Sequence, residues 1–207
     1  DIFVNYTPFG HSDWSKIVAD VVALGADGKK VGVVSTINGD ANIGFYKELA
    51  AADVSAEKIP VVAFSVGEEE LSGLDTSNLV GHLAAWNYFQ SAESDINSEF
   101  IKAWKARMGK KRVTNDPMEA HYIGFNMWVN AVKKAGTTEV DAVRIAMYGQ
   151  KFPNLTGGMA EMLTNHHLSK PVLIGEIKAD GQFDIISQTD PVPGDAWTDF
   201  LPESAVL

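Results

Sequence analysis

A short apolar run that ends in polar residues, followed by a helix-like pattern, constrains the fold of this chain most. The run covers residues 31–34, and Ser-Thr-Ile-Asn-Gly-Asp-Ala-Asn follows at 35–42. This order predicts a buried parallel strand, a loop at its carboxyl end and then a helix. Ligands of open α/β sheets lie just beyond the carboxyl ends of strands. The loop residues that we expect near a small polar ligand are Thr36, Asn38, Asp40 and Asn42.

The same order of residues recurs further along the chain. Pro60 opens a second apolar run, which Ser65, Gly67 and Glu68 follow. Two such units side by side place both loops at one edge of a sheet, so we predict one shared crevice. Ser65 has three interpretations: a ligand hydrogen bond, a cap for the next helix, or a nucleophile. The residues after Ser65 offer no base for the last of these.

Strands and helices alternate through the first half of the chain. This alternation predicts right-handed crossovers and an α/β three-layer sandwich with a mainly parallel sheet. The expected strands lie at 2–6, 31–35, 60–64 and 79–86, with helices at 12–25, 43–52 and from Glu68. The second half predicts helices at 96–108, 115–134 and 138–148, a loop at 153–158, and a hairpin around Asp180-Gly181.

Composition and charge exclude several classes of function. A net charge of -10 argues against a nucleic-acid partner, because phosphate binding needs clustered lysine and arginine. The chain has no cysteine, which excludes thiolate metal sites and fits an oxidising compartment. No apolar stretch approaches the ~20 residues that span a bilayer. The chain opens with Asp1-Ile-Phe-Val, which is typical of a strand interior, so we expect a processed or excised piece.

Few residue patterns indicate a cofactor, a metal or catalysis. No glycine-rich phosphate loop and no nucleophile elbow is present, so we expect no cofactor. His166 and His167 are adjacent and would point to opposite faces of an extended chain, which favours surface histidines over a metal site. Asp116 and Glu119 lie at a helix start, where acidic residues stabilise the helix. A catalytic carboxylate pair with His121 is the alternative interpretation.

Aromatic residues cluster after the expected fourth strand. Trp86, Tyr88 and Phe89 lie at or just beyond its carboxyl end. Aromatic side chains in that position wall a pocket for a small amide or amino acid, or form core at the sheet edge. The sequence favours neither interpretation, and we keep Trp86 as a candidate ligand contact.

Six segments together resemble the substrate-binding proteins of bacterial urea ABC transporters. That group is similar to the branched-chain amino acid and amide binders among the type I periplasmic binding proteins. The segments are YTPFGHSDW at 6–14, STINGDAN at 35–42, FSVGEEE at 64–70, GHLAAWNYF at 81–89, NDPMEAHY at 115–122 and PNLTGG at 153–158.

The resemblance implies one portion of a two-lobed α/β protein that closes on its ligand by hinge motion. Family members are roughly twice this length, so the first segment of the amino-terminal lobe and the start of the carboxyl-terminal lobe are expected to be missing. Residues 1–112 would belong to the carboxyl-terminal lobe, and 113–170 would complete the amino-terminal lobe. Residues 171–207, the hairpin and tail, would return to the carboxyl-terminal lobe.

The resemblance also implies a function. We expect extracytoplasmic, periplasmic capture of urea or a short-chain amide and its delivery to ABC permease subunits in the inner membrane, without catalysis. Amino-acid binders use a carboxylate in the loop after the third strand, and Glu68 and Asp40 can accept hydrogen bonds from urea N–H groups. The alternatives are an amide-responsive regulator of the same fold, an amide hydrolase, and a fragment that binds nothing.

Overall fold

Parallel strands form the centre of the fold. The computed structural model describes residues 2–195. Strands β1 (Val33–Ser35), β2 (Val61–Ala63) and β3 (Leu83–Trp86) pair in parallel, with Val33 opposite Val61 and Ala63 opposite Ala84. Each is joined to the next through a helical connection. The predicted α/β class and the parallel arrangement of these strands are confirmed.

A hairpin from the end of the chain extends this sheet. Strands β7 (Leu173–Ile177) and β8 (Phe183–Gln188) are antiparallel, and β7 pairs antiparallel with β3. The five strands lie in the order β1-β2-β3-β7-β8. Gly181 adopts a φ of 74° in the connecting turn, a conformation that glycine adopts without steric cost. The predicted hairpin is confirmed.

Helices α1 (Ser15–Leu24) and α2 (Ala41–Ala51) cover one face of the sheet. Their apolar residues recur at helical spacing, which places them on one side. Together with the four-residue helix α3 (Glu68–Leu71) they form the first core. Its fully buried large side chains are Phe45, Tyr46, Leu49, Leu71, Leu79, Phe89, Leu173 and Phe183.

A second, smaller core forms in the later part of the chain. Helix α4 (Asp95–Met108) leads to α5 (Asp116–Ala135) and α6 (Val140–Met147), and a small antiparallel sheet follows. Its strands are β4 (Lys151–Pro153), β5 (Met159–Met162) and β6 (Leu168–Ser169). Ile123, Met127 and Ala160 pack in a cluster separate from the first core.

Capping residues mark where the long helices begin and end. Ser94 Oγ accepts from the Asn97 amide at the start of α4, and Asn115 Oδ1 accepts from the Met118 amide at the start of α5. Such side chains satisfy amides that lack a partner within the helix. Gly136 ends α5 in the left-handed conformation that glycine favours, close to the predicted helix end at 134.

Four expectations need correction. Residues 2–6 form no strand, because no neighbouring strand accepts their hydrogen bonds, and Ile2 and Tyr6 are exposed. Strand β1 lies at the sheet edge, so Val34 is 73% exposed and not buried. Helix α1 begins at Ser15, three residues after the expected start at 12. Strands β4 and β5 flank the predicted 153–158 loop and were not expected. Trp197, assigned to an irregular tail, lies outside the described residues.

A buried histidine holds the amino-terminal end of β2. His82 is fully buried; its Nδ1 accepts from the Val61 amide at 3.1 Å, and its Nε2 donates to the Val54 carbonyl at 3.1 Å. Burial lowers the pKa of His82, against a smaller opposing effect of the Val54 hydrogen bond. A proton on Nδ1 would remove the acceptor that Val61 uses.

We expect His82 to destabilise the fold in acid. Because its folded pKa lies below the unfolded value of about 6.5, its contribution is complete above that pH and is lost as the pH falls. Guanidinium unfolding from pH 8 to 5 should show the free-energy difference between wild type and His82→Gln shrinking toward pH 5. A difference that stays constant with pH would contradict this prediction.

Charged residues are buried where α5 meets the segment that precedes β7. Lys170 and Glu119 form an ion pair, with side chains 7% and 0% exposed. Asp116 lies nearby, and its Oδ2 accepts from the Asn87 amide at 2.9 Å. Burial raises the pKa values of Asp116 and Glu119, and the ammonium of Lys170 partly offsets that rise. This ammonium therefore compensates two buried acids.

Removing Lys170 should be costly. Lys170→Met leaves Asp116 and Glu119 without a cation, and breaking a buried ion pair costs about 3–5 kcal/mol. The loss should be larger at pH 8 than at pH 5, where the two carboxyl groups become neutral more easily. Lys178→Met, which breaks the exposed Lys178–Asp180 pair, is the matched control for guanidinium unfolding. Equal losses in both variants would show that the buried cluster has no special role.

Candidate functional site

Three loops follow the carboxyl ends of the parallel strands. We call them loop 1 (36–40, after β1), loop 2 (64–67, after β2) and loop 3 (87–94, after β3). Parallel pairing brings all three to the same edge of the sheet. The start of α5 adjoins them, since the Asn87 amide of loop 3 donates to Asp116.

Asn42 joins loop 1 to loop 2. Its Nδ2 donates to the Ile37 carbonyl at 2.9 Å and to the Ser65 carbonyl at 3.1 Å. The side chain is fully buried in the first turn of α2. Asn42 therefore lies behind the loops, and the expectation that it faces a ligand was wrong. The two loops are nonetheless adjacent, as the predicted crevice requires.

Glu68 joins loop 2 to loop 3. Its side chain is 1% exposed, and its Oε1 accepts from the Ser91 amide and hydroxyl, each at 3.2 Å. Its Oε2 has no hydrogen-bond partner within the described residues. Burial raises the pKa of Glu68 to about 7, although the backbone and hydroxyl hydrogen bonds oppose that rise. Glu68 is thus an interior group that is partly protonated near neutral pH.

Gly67 allows loop 2 to approach its neighbours closely. A Cβ at this position would lie 3.3 Å from the Trp86 ring, which is tighter than side chains usually pack, and in ordinary contact with Asn115 Cβ at 3.5 Å. Trp86 is half-buried and packs against the first core. Tyr88 and Phe89 are fully buried, so the core interpretation holds for both of them.

Loop 1 supplies the exposed polar groups. Thr36, Asn38 and Asp40 are all exposed, and Ser65 of loop 2 is half-buried. Asp40 makes no capping hydrogen bond at the start of α2. The capping interpretation of Ser65 is wrong, because α3 starts after Gly67 and the Gly67 amide donates to Glu70 Oε2 at 2.9 Å.

Acidic groups surround these loops. Burial raises the pKa of Glu70, and the negative charges of Glu69 and Asp40 raise it further. Asp40 is therefore close enough to Glu70 to interact electrostatically. Glu69 pairs with Arg112 at 3.1 Å, so part of its charge is compensated. The local field favours groups that donate hydrogen bonds over anions.

A cavity of about 910 Å³ lies beside loop 1, between residues 2–9, α1 and β1. Thr36 and Asn38 are among its lining residues, whereas Ser65, Glu68 and Trp86 are not. Most of the lining is apolar, and Trp14, Val21 and Phe45 of the lining also belong to the first core. The predicted site residues therefore do not all share this cavity.

The other chemical candidates resolve into structural roles. Glu119 pairs with Lys170 and not with His121, which is exposed, so the predicted carboxylate–histidine pair does not form. His166 and His167 are both exposed. Among residues 2–195, no group of three or more potential ligands is placed to hold a metal ion. Over the same residues, no helix combines the length and apolar character needed to cross a membrane.

Sequence reasoning missed two residues of the site region. Ser91 fixes Glu68, and its hydroxyl also accepts from the Phe183 amide at 3.0 Å, yet a lone serine after a strand carries no sequence signal. Lys170 is buried, although lysine is almost never buried unless paired, and its partner Glu119 is 51 positions away. Only the three-dimensional contacts identify either residue.

The fold is an α/β sheet whose three strand-end loops lie at one edge. A family model described as a periplasmic binding protein domain matches residues 1–203, so the chain belongs to this family. One similar structure is a solute-binding protein of an ABC transporter from Rhodopseudomonas palustris HaA2, in complex with p-hydroxybenzoic acid. It has 18% identity and a TM-score of 0.74 over 90% of this chain and 51% of that one.

Two further proteins are similar over part of their length. The fold resembles a branched-chain amino acid ABC transporter periplasmic ligand-binding protein from Burkholderia xenovorans LB400, with 18% identity, a TM-score of 0.67, and coverage of 89% of this chain and 50% of that one. A protein named limonene hydroxylase from Geobacillus stearothermophilus is 34% identical over 114 residues, 55% of this chain and 21% of that protein. The chain thus spans about half the length of the similar structures.

Glu68 should make stability depend on pH in the direction opposite to His82. Its folded pKa of about 7 exceeds the model-peptide value of 4.5, so its stabilising contribution is complete below pH 4.5 and is lost as the pH rises through 7. Relative to Glu68→Gln, wild type should lose on the order of 3 kcal/mol between pH 4 and 8.

Guanidinium unfolding across this range measures the effect. Asn38→Ala is the control, because Asn38 is exposed and carries no ionisable group. A Glu68→Gln difference that does not change with pH would mean that Glu68 stays ionised in the folded protein.

Proposed function

We propose that this chain is part of an extracytoplasmic solute-binding protein of an ABC transporter that captures urea or a short-chain amide. The observation that carries the proposal is the joining of three strand-end loops at one sheet edge, through Asn42 and Glu68. Membership of the periplasmic binding protein family supports a location outside the cytoplasm and transfer of the solute to permease subunits.

The chemistry of the loops supports a neutral ligand that is rich in N–H groups. Thr36, Asn38 and Ser65 offer both donors and acceptors, and Asp40 offers only acceptors. Urea presents four N–H bonds and one carbonyl, which these groups can pair. A benzoate anion, by contrast, would face the acidic groups beside loop 1 without a basic partner on that loop. Trp86 would contact a ligand through its ring.

Two apolar surfaces support a two-lobed protein in which a further segment completes the amino-terminal lobe. On α5, Phe125 and Trp128 are exposed and their rings stack at 6.1 Å. At the sheet edge, Val34 of β1 is exposed. The separate cores support the proposed division at residues 112/113 and 170/171, with the carboxyl-terminal hairpin returning to the first core.

Binding by this lobe requires no bond breaking and no cofactor. Affinity would come from hydrogen bonds to the ligand. These bonds become stronger when the lobes close and exclude water. A site that pairs every polar group of its ligand rejects analogues that leave one unpaired. This predicts a preference for urea or acetamide over leucine.

Asp40→Ala should weaken urea binding without destabilising the fold. In the full-length protein we expect a loss of about 1–3 kcal/mol in binding free energy, the cost of an unpaired buried donor on the ligand. The unfolding free energy should change by less than about 0.5 kcal/mol, because Asp40 is exposed. Calorimetry with urea, acetamide and leucine measures the affinities. Unfolding by guanidinium measures stability, because urea is the proposed ligand and cannot also serve as the denaturant.

The same experiments separate the alternatives. Asp141→Ala, which breaks an exposed salt bridge with Arg144 away from these loops, is the matched control and should bind urea normally. Tighter binding of leucine or a benzoate than of urea would overturn the proposed ligand. Ammonia release from urea above background would indicate a hydrolase. Failure to associate with permease subunits, despite normal binding, would favour an amide-responsive regulator.

A further inference from the structure

Asn42 makes direct hydrogen bonds to both loop 1 and loop 2. Its side chain has no exposed surface, and its Nδ2 donates one hydrogen to each of two loop carbonyls, those of Ile37 and Ser65. Its Oδ1 has no hydrogen-bond partner within the described residues. Both amide hydrogens are therefore used to hold two loops that are more than twenty residues apart in sequence.

The other contacts between the two loops lie nearer the strands. The Phe64 amide donates to the Ser35 carbonyl at 3.0 Å, which continues the β1–β2 ladder. Within loop 1, the Ile37 amide donates to Ser35 Oγ at 3.4 Å, a long and weak contact. Beyond Ser35, the side-chain amide of Asn42 connects loop 1 to Ser65 of loop 2.

The rigidity of Asn42 comes from α2. The backbone amide of Asn42 donates to the Gly39 carbonyl at 3.0 Å at the start of this helix. The helix itself is anchored in the first core by Phe45, Tyr46 and Leu49. The side chain thus extends from a fixed element toward two less regular ones. Sites held by regular elements are more accurately placed than sites on loops alone.

We propose that Asn42 is a positioning residue that sets the spacing between loop 1 and loop 2 and thereby the affinity for a small amide. This inference rests on the proposed function. Asn42 does not touch the ligand. It acts through Thr36, Asn38 and Asp40 on one side and Ser65 on the other, which must meet one small molecule simultaneously. Groups of a binding site must be held within about 0.5 Å of their productive positions, so a small shift between the loops lowers affinity.

Two substitutions separate the hydrogen bonds from the volume of the side chain. Asn42→Asp keeps the shape but offers carboxylate oxygens to two carbonyl oxygens, so both contacts become repulsive. Asn42→Leu keeps a similar volume and removes the donors. Asn42→Gln retains the amide and is the conservative variant, which should recover part of the function. His82→Gln is the matched control, because His82 also bridges two backbone groups but at the opposite end of β2.

Hydrogen exchange tests the positioning role without a ligand. In Asn42→Leu we expect amides of loops 1 and 2 to exchange faster together, by at least tenfold, while the amides of β3 and β7 stay as in wild type. In His82→Gln, loops 1 and 2 should stay protected. A uniform increase across the first core, or an increase in loop 1 alone, would overturn the inference.

Urea binding by the full-length protein is the second measurement. Asn42→Leu and Asn42→Asp should each weaken urea binding at least tenfold. His82→Gln should weaken it less, even if this variant is equally or more destabilised. Normal urea affinity in Asn42→Leu would overturn the inference even if the loops exchange faster. If wild type binds neither urea nor acetamide, the proposed function fails, and the exchange pattern alone then decides whether Asn42 couples the loops.

Discussion

Parallel pairing of three short strands is the interaction on which the rest of the structure depends. The ladder sets Val33 opposite Val61 and Ala63 opposite Ala84, so three chain segments stop at one edge. Each segment then turns into a polar loop. The buried amide of Asn42 and the buried carboxyl of Glu68 connect these loops in pairs. Sheet geometry therefore determines where the polar groups converge, and two interior side chains determine how closely.

Buried hydrogen bonds and an ion pair connect the elements of the two cores. Asp116 receives the Asn87 amide, and the Asn87 side chain donates to the Pro171 carbonyl at 2.8 Å. Lys170, the residue before Pro171, pairs with Glu119 of α5. The chain thus passes between the cores beside a charged cluster. Polar contacts of this kind constrain direction and distance more than apolar packing does.

Much of the fold could be predicted because its signals are local. The apolar runs at 31–34 and 60–64, the helical pattern at 115–134 and the Asp180-Gly181 turn each determine an element through nearby residues. The strand expected at 2–6 failed because a strand also needs a neighbour, which local pattern does not supply. At the site, sequence placed Thr36, Asn38 and Asp40 on an exposed loop correctly. It could not show that Glu68 and Asn42 turn inward, because burial depends on distant partners such as Ser91 and Ser65.

The antiparallel join between β3 and β7 bears on how the chain folds. Strand β3 can pair with β7 only after residues 87–172 have been made. Leu173 and Phe183 then fill the first core. Closing a long loop has an entropic penalty and slows folding. During synthesis on a ribosome, the edge of β3 that faces β7 therefore stays unpaired until β7 has been made. An unpaired strand edge exposes backbone groups that can pair with another chain, and the hairpin of β7 and β8 covers this edge once it forms.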